Sequence, residues 1–143
     1  AAIAHVYAEA IEAGTVAVAA AISASGVEAF QPWTATKRIT IAADRDEGAK
    51  ADGKPGSRRG ERAARRIGLR LHERMSIDIA LPGAAGESID FLDVLRRDGP
   101  EAVRSTIESG RAFAPTRGEL EEMATSQGRA AELARERLFR AAL

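Results

Sequence analysis

The run Arg38-Ile39-Thr40-Ile41-Ala42-Ala43-Asp44-Arg45-Asp46-Glu47 constrains this chain more than any other stretch. Ile39, Ile41 and the alanines that follow form a short apolar segment, β-branched at its start, of the length of a buried parallel strand. Strands of that kind deliver their C-terminal ends to the crevice in which open α/β sheets bind ligands. Here that end carries Asp44 and Asp46, with Glu47 directly behind. Three carboxylates at a strand tip repel one another, so the arrangement is costly unless a cation neutralises it. Hard oxygen donors suit Mg²⁺ or Mn²⁺, held through one or two carboxylates while waters and substrate phosphates complete the shell. A solvated acidic turn after a strand is the other reading of the same residues.

Three further segments bear on the choice. Ala20-Ala21-Ile22-Ser23-Ala24-Ser25-Gly26 precedes the aspartate strand, and Gly60-Glu61-Arg62-Ala63-Ala64-Arg65-Arg66 follows it. Ser88-Ile89-Asp90-Phe91-Leu92-Asp93-Val94-Leu95 comes last. In this order the four segments resemble a Toprim domain, of the variety found in plasmid- and phage-type DNA primases and primase-helicases. The likeness runs from about the N-terminus to about Val94. It implies an α/β fold with a Rossmann-like parallel sheet flanked by helices. It also implies metal-dependent phosphodiester chemistry, with Asp44 and Asp46 as catalytic and metal-holding carboxylates and Asp90 as a further ligand for Mg²⁺ or Mn²⁺. Asp93 is the lesser candidate, because an acidic residue in the first turn of a helix is also a plain preference of the helix dipole. The family often has Lys before the first of these aspartates, where this chain has Ile89.

Length and composition narrow the class. With 143 residues, one α/β domain with its own core is expected. The 21 basic and 21 acidic residues cancel, so no global field announces a nucleic-acid partner. The absence of cysteine excludes disulfides, zinc ribbons and thiolate nucleophiles, and agrees with a cytoplasmic location. No apolar run is long enough to span a bilayer, so no membrane partner is expected. The chain opens at Ala1 without a methionine and is expected to be a piece of something longer, with neighbouring domains as partners.

Ile3, Val6, Tyr7, Ala10 and Ile11 recur at helical spacing and predict an amphipathic helix over residues 2–13, stopped by Gly14. Residues 15–22 read as a buried strand through Val16, Val18 and Ile22, although their alanines leave a helix open. Residues 23–26 read as a turn, and Gln31-Pro32-Trp33 as a loop. In the Toprim family a general-base or metal-binding Glu ends the first strand. Glu9 is one candidate for it. Helical periodicity instead makes residues 2–13 the first helix, with the first strand and its Glu lying upstream of residue 1.

Residues 48–60 are glycine-rich, basic and without apolar anchors, and are expected to form a mobile loop. Gly48 to Lys54 imitates a Walker A loop, but Pro55 occupies the position of the Mg²⁺-binding Ser/Thr, which excludes it. Lys50, Lys54, Arg58 and Arg59 are candidate contacts to nucleic-acid or nucleotide phosphates, against the reading of a solvated surface insertion. Residues 61–74 form a helix with Ala64, Ile67, Gly68, Leu71 and Met75 inward and Arg62, Arg65, Arg66 and Arg70 on its other faces. His5 and His72 have no partner at ligand spacing and are expected at the surface. Residues 76–81 alternate as the next strand, ending at Pro82-Gly83. Phe91, Leu92, Val94 and Leu95 bury a short helix, residues 100–109 make another, 110–117 a linker, and 118 onward a helical tail. The domain division is therefore 1–110 and 111–143.

The resemblance leads to the catalytic module of a primase, a nucleotidyltransferase acting on a single-stranded DNA template with nucleotides. A Toprim nuclease would use the same carboxylates on water. A catalytically degenerate nucleic-acid-binding or scaffold module is the reading of another class. A topoisomerase is disfavoured, since its nucleophilic tyrosine usually lies outside the Toprim module and the sole tyrosine here is Tyr7.

Overall fold

The structure is a computed structural model that describes residues 2–21, 23–48 and 56–141. It divides into two compact units, Ala1–Phe113 and Ala114–Leu143. The first holds a mixed α/β core. Strand β1 (Arg38–Ala42) pairs in parallel with β3 (Ser76–Ala80), in the register Arg38↔Ser76 to Ala42↔Ala80. Strand β5 (Arg111–Ala112) adds antiparallel to β3, giving the order β1-β3-β5. The expected parallel sheet is thus mixed, and part of the segment read as a linker is its edge strand. A separate two-residue pairing joins β2 (Arg45–Asp46) to β4 (Ser88–Ile89), antiparallel.

Alternation along the strands distributes side chains to two helical layers. Ile39, Ile41 and Ala43 of the first segment and Ile77, Ile79 and Leu81 of the second pack with Ala64, Ile67 and Leu71. Those three belong to α4 (Arg59–Leu71), which also packs on α3 (Ala24–Ala29). Ala42 and Ala80 face the other way, toward a cluster of Ala2, Val6, Phe91, Val94 and Val103. These come from α1 (Ala2–Val6), α5 (Phe91–Asp98) and α6 (Pro100–Glu108). Ile67 and Leu71 are almost wholly enclosed, each contributing about 1.5–3 kcal/mol of transfer free energy. The spacing Ala64, Ile67, Gly68, Leu71 puts a small-residue stripe against the sheet, as the sequence pattern requires. At Gly68 a methyl group would lie 2.8–2.9 Å from the Phe113 ring, which is why the ring can sit there.

Several expectations change. The helix over residues 2–13 is two short helices, α1 and α2 (Ala8–Glu12), with Tyr7 between them at φ −106°, ψ 19°. Residues 15–21 form no strand; they are exposed, with Val16 and Val18 each 37% accessible. A β-prone run becomes a strand only where another edge takes its hydrogen bonds. Residues 23–26 open a helix rather than a turn, because the Ser23 Oγ accepts from the Gly26 N–H at 3.1 Å and caps α3. β1 is less enclosed than a central strand: Arg38 and Thr40 are exposed, and among the described residues only β3 pairs with it. Leu92 points outward at 38% exposure, while Phe91 and Val94 are buried. His72 is half-buried, with its ring edge-on to Phe113 and Nδ1 2.9 Å from the Leu69 carbonyl.

The second unit carries α7 (Arg117–Ala141). Thr116 caps it, donating its backbone N–H at 2.7 Å and its hydroxyl at 2.8 Å to the Glu119 carboxylate. No described helix is long and apolar enough to cross a membrane.

Candidate functional site

The C-terminal end of β1 leads through Ala43 to Asp44, then into β2. The Ala43 N–H donates to the Ala80 carbonyl at 3.1 Å, carrying the strand pairing one residue past β1 and setting where the turn begins. Beneath this turn lies the first turn of α4. A methyl group added at Gly60 would fall 2.9 Å from the Asp44 carbonyl oxygen and 3.2 Å from its nitrogen. Ala63 and Ala64, 1% and 0% exposed, continue that close approach. The Gly-x-x-Ala-Ala pattern therefore has a physical meaning. It lets a helix lie directly against the backbone that presents Asp44.

The acidic residues picked out in sequence meet different fates. Asp44 is exposed and has no cationic partner among the described residues. Its carboxyl is pushed up from its ordinary value, first by desolvation and then by the negative charges of Asp90 and Asp93. Asp90 and Asp93 are thus near enough for their charge to be felt at Asp44. Asp46 is turned to Ser57, whose backbone N–H donates to its Oδ2 at 3.0 Å and whose hydroxyl donates to the same oxygen. The Asp46 carbonyl also accepts from the Arg58 N–H at 3.0 Å. Residues 46 and 57–58 thus close the base of the segment between β2 and α4. Lys50 and Lys54 lie outside the described residues.

Glu47 does not add to the unbalanced charge. Its Oε2 accepts from the Gly86 N–H at 2.8 Å, and its Oε1 lies 3.1 Å from both Arg45 and Arg58. The Gly86 hydrogen bond foremost, with the two guanidiniums, holds its carboxyl below the usual range despite an opposing desolvation effect. The crowding of three carboxylates inferred at the strand tip is thus resolved for Glu47 by arginines and for Asp46 by a serine. Asp44 is left with its like-charged neighbours. Arg58 pairs with Glu47 and approaches Glu61 at 4.0 Å, while occupying the left-handed region at φ 48°, a conformation that costs a non-glycine residue roughly 1–2 kcal/mol. Arg59 is exposed and has no partner among the described residues.

Asp90 and Asp93 have a second task. The Asp90 carboxylate accepts from the Asp93 N–H at 2.7 Å and the Asp93 carboxylate from the Asp90 N–H at 3.3 Å, a reciprocal capping box at the start of α5. Residues the sequence reading passed over also shape the region. Arg45 Nε donates to the Pro82 carbonyl at 2.7 Å, tying the aspartate turn to the end of β3. Asp78, 7% exposed in the middle of β3, accepts from Arg38 Nε at 2.6 Å. Its place in an alternating Ile-Asp-Ile pattern looks solvent-facing in sequence, and only the helices on that side of the sheet reveal its burial.

Whether these residues suit a divalent cation follows from their donors. Among the described residues no group of three or more His, Cys, Asp or Glu side chains is arranged to hold a metal ion. An all-protein cage is thus not what this locus offers. Mg²⁺ ordinarily takes only one or two protein carboxylates and keeps several waters. Asp44, which lacks a countercharge among the described residues and feels the negative charge of Asp90 and Asp93, fits that sparser mode.

An α/β unit with an aspartate just past the C-terminal end of a parallel strand has the layout in which open α/β sheets bind ligands at their carboxyl edge. The comparisons make the class specific: a family model described as the Toprim domain matches residues 3–101, and the chain belongs to that family. Toprim domains carry out metal-dependent nucleic-acid processing, in primases, nucleases and topoisomerases, and typically bind divalent metals such as Mg²⁺. No curated protein and no solved structure matches the chain.

Proposed function

We propose that this Toprim domain is the catalytic module of a primase of the plasmid or phage type, working in the cytoplasm on single-stranded DNA. The observation that supports the reading is Asp44, just past the end of a parallel strand, without a cationic partner among the described residues and under the negative charge of Asp90 and Asp93. Asp44, with Asp90 or Asp93, would hold Mg²⁺ or Mn²⁺. When bound, such a cation supplies charge neutralisation for a triphosphate and alignment of a hydroxyl for in-line attack at phosphorus. In that reaction a primer 3′-oxygen joins the α-phosphorus of the incoming nucleotide and pyrophosphate leaves. Asp46 holds the Ser57 end of the basic segment and would have to exchange that contact to become a ligand. Arg59, with Arg58, Lys50 and Lys54, would contact template or nucleotide phosphates.

A second reading, a scaffold that has lost catalysis, draws support from the Asp46–Ser57 contact, which withdraws one of the two paired aspartates. Dinucleotide synthesis from NTPs on a single-stranded template, measured with the protein and its neighbouring domains, separates the two. The primase reading expects synthesis that disappears in Asp44→Asn. Synthesis that survives the substitution, or cleavage of labelled template in place of synthesis, would remove it.

A further inference from the structure

We propose that Arg45 is a positioning residue, which holds β2 in register on β4 and so keeps Asp44 opposite Asp90. The register is fixed by two antiparallel pairs, Arg45↔Ile89 and Asp46↔Ser88. Carried one step back along the chain, it sets the position of residue 44 against that of residue 90. In the other direction the Glu47 N–H continues it, donating to the Glu87 carbonyl at 3.0 Å. Residues directly opposite on an antiparallel pair are side-chain neighbours, and the negative charge of Asp90 is felt at Asp44. Asp44 precedes Arg45 and Asp90 follows Ile89, so whatever fixes that one pair places both carboxylates. The inference rests on the metal-site reading where it predicts cation affinity; the register itself is tested without metal.

A two-residue ladder does not hold itself. Isolated two-stranded pairings are marginal in water, and like charges facing each other across such a pair oppose it. Residues 81–87, which lead from β3 into β4, form neither strand nor helix. Arg45 secures them from the other side. Its Nε donates to the Pro82 carbonyl at 2.7 Å, and its Nη1 lies 3.1 Å from the Glu47 carboxylate. Glu47 in turn accepts from the Gly86 N–H at 2.8 Å. One guanidinium thereby ties both ends of this connection to β2, directly at Pro82 and through Glu47 at Gly86. The Arg45 and Glu47 side chains are only 14% and 10% exposed. An ion pair so shielded often adds no stability over apolar residues of the same volume, and its best-attested use is to fix a registry.

Amide exchange of the 143-residue chain without metal reads the register, and Mn²⁺ affinity, followed by its electron-spin signal, reads the consequence. In Arg45→Met the Glu47 amide should exchange about ten- to hundred-fold faster, the scale of a lost charge-assisted hydrogen bond. Mn²⁺ affinity should fall by about ten- to hundred-fold, as for other groups that orient a metal ligand. Arg45→Lys keeps the charge and loses the planar fork, so it should lie between the parent and Arg45→Met on both readouts, and it decides the matter if Arg45→Met does not fold. Arg66→Met, which breaks an exposed pair with Glu28, should change either readout by less than about twofold. A double-mutant cycle separates positioning from plain stability. Asp90→Asn should weaken Mn²⁺ binding in the parent, yet add less than about twofold to the defect of Arg45→Met. Full additivity in that cycle gives Arg45 a merely structural role and overturns the proposal, as does parent-like exchange of the Glu47 amide in Arg45→Met. A parent chain that binds no Mn²⁺, while Arg45→Met still exposes the Glu47 amide, removes the metal reading and leaves the register device standing.

Discussion

Replacing Gly60 by alanine tests how the aspartate turn is positioned. The new methyl carbon would lie 2.9 Å from the Asp44 carbonyl oxygen and 3.2 Å from the Asp44 nitrogen, with the Ala43 Cβ at 3.7 Å. The two nearest atoms are backbone, so no side-chain rotation relieves the contact. Either the first turn of α4 withdraws from the strand tip or the turn itself moves. Overpacking of this kind costs about 1–3 kcal/mol. Against it stands the gain from replacing glycine in a helix, at most about 1 kcal/mol and less in the first turn. The net expectation is a loss of about 1–2 kcal/mol, read as a fall in Tm of roughly 4–8 °C for a unit of this size. Gly128→Ala is the control. It lies within α7 with nothing within 4 Å of the added carbon, so it should be neutral or stabilising. Thermal unfolding by circular dichroism compares the two, and Mn²⁺ titration of Gly60→Ala should show weaker binding, since Asp44 is displaced. A Gly60→Ala protein as stable as the parent, with unchanged Mn²⁺ affinity, would refute the claim that this glycine sets the position of Asp44.

Asp90 separates capping from charge: Asn caps as well as Asp, so Asp90→Asn should preserve stability within a few tenths of a kcal/mol and weaken Mn²⁺ binding, whereas Asp90→Ala should also cost about 1 kcal/mol in urea denaturation. The pH dependence of stability should carry two opposed contributions. Asp44, raised from 3.8, contributes stability that is present below that value and lost as pH rises through its folded value. Asp44→Asn should therefore be more stable than the parent at neutral pH. Glu47, lowered from 4.5, contributes stability present above that value and lost as pH falls through its folded value. Glu47→Gln should be less stable than the parent at neutral pH, with the difference vanishing in acid; denaturation curves from pH 7 down to about pH 3 check both signs. Finally, the exposed uncharged run at residues 15–21 and the single-partner edge of β1 are sites for unwanted strand pairing. Val18→Lys should reduce self-association in sedimentation velocity without a loss of stability.

What could be read from the sequence is what local periodicity and small-residue patterns encode. β1, β3 and α4 were legible because Ile39/Ile41, Ile77/Ile79 and Ala64/Ile67/Leu71 repeat at strand and helix spacing and face a common core. Residues 15–22 carry equally good strand chemistry, yet residues 15–21 join no sheet, because chemistry alone supplies no hydrogen-bonding edge. Ser23 illustrates a different limit: the same Ser-x-x-Gly string serves a turn or a helix cap, and the backbone that follows decides. The pairings of β2 with β4 and of β5 with β3 span two residues each, too short for any period to register. At the site, Asp44 was identified by position. The quieting of Glu47 by Arg58 and Gly86 depends on contacts 11 and 39 residues away, which no motif records. Asp90 and Asp93 were recognised as candidates, and their reciprocal cap was hidden because aspartate, rather than the usual glutamate, closes the box.

The most direct test is to titrate Mn²⁺ into the isotopically labelled chain and follow paramagnetic broadening of its amide signals. Saturable broadening centred on Asp44, Asp90 and Asp93, weakened by Asp44→Asn, is expected. Broadening that never saturates, or that centres away from the end of β1, would contradict a cation site there.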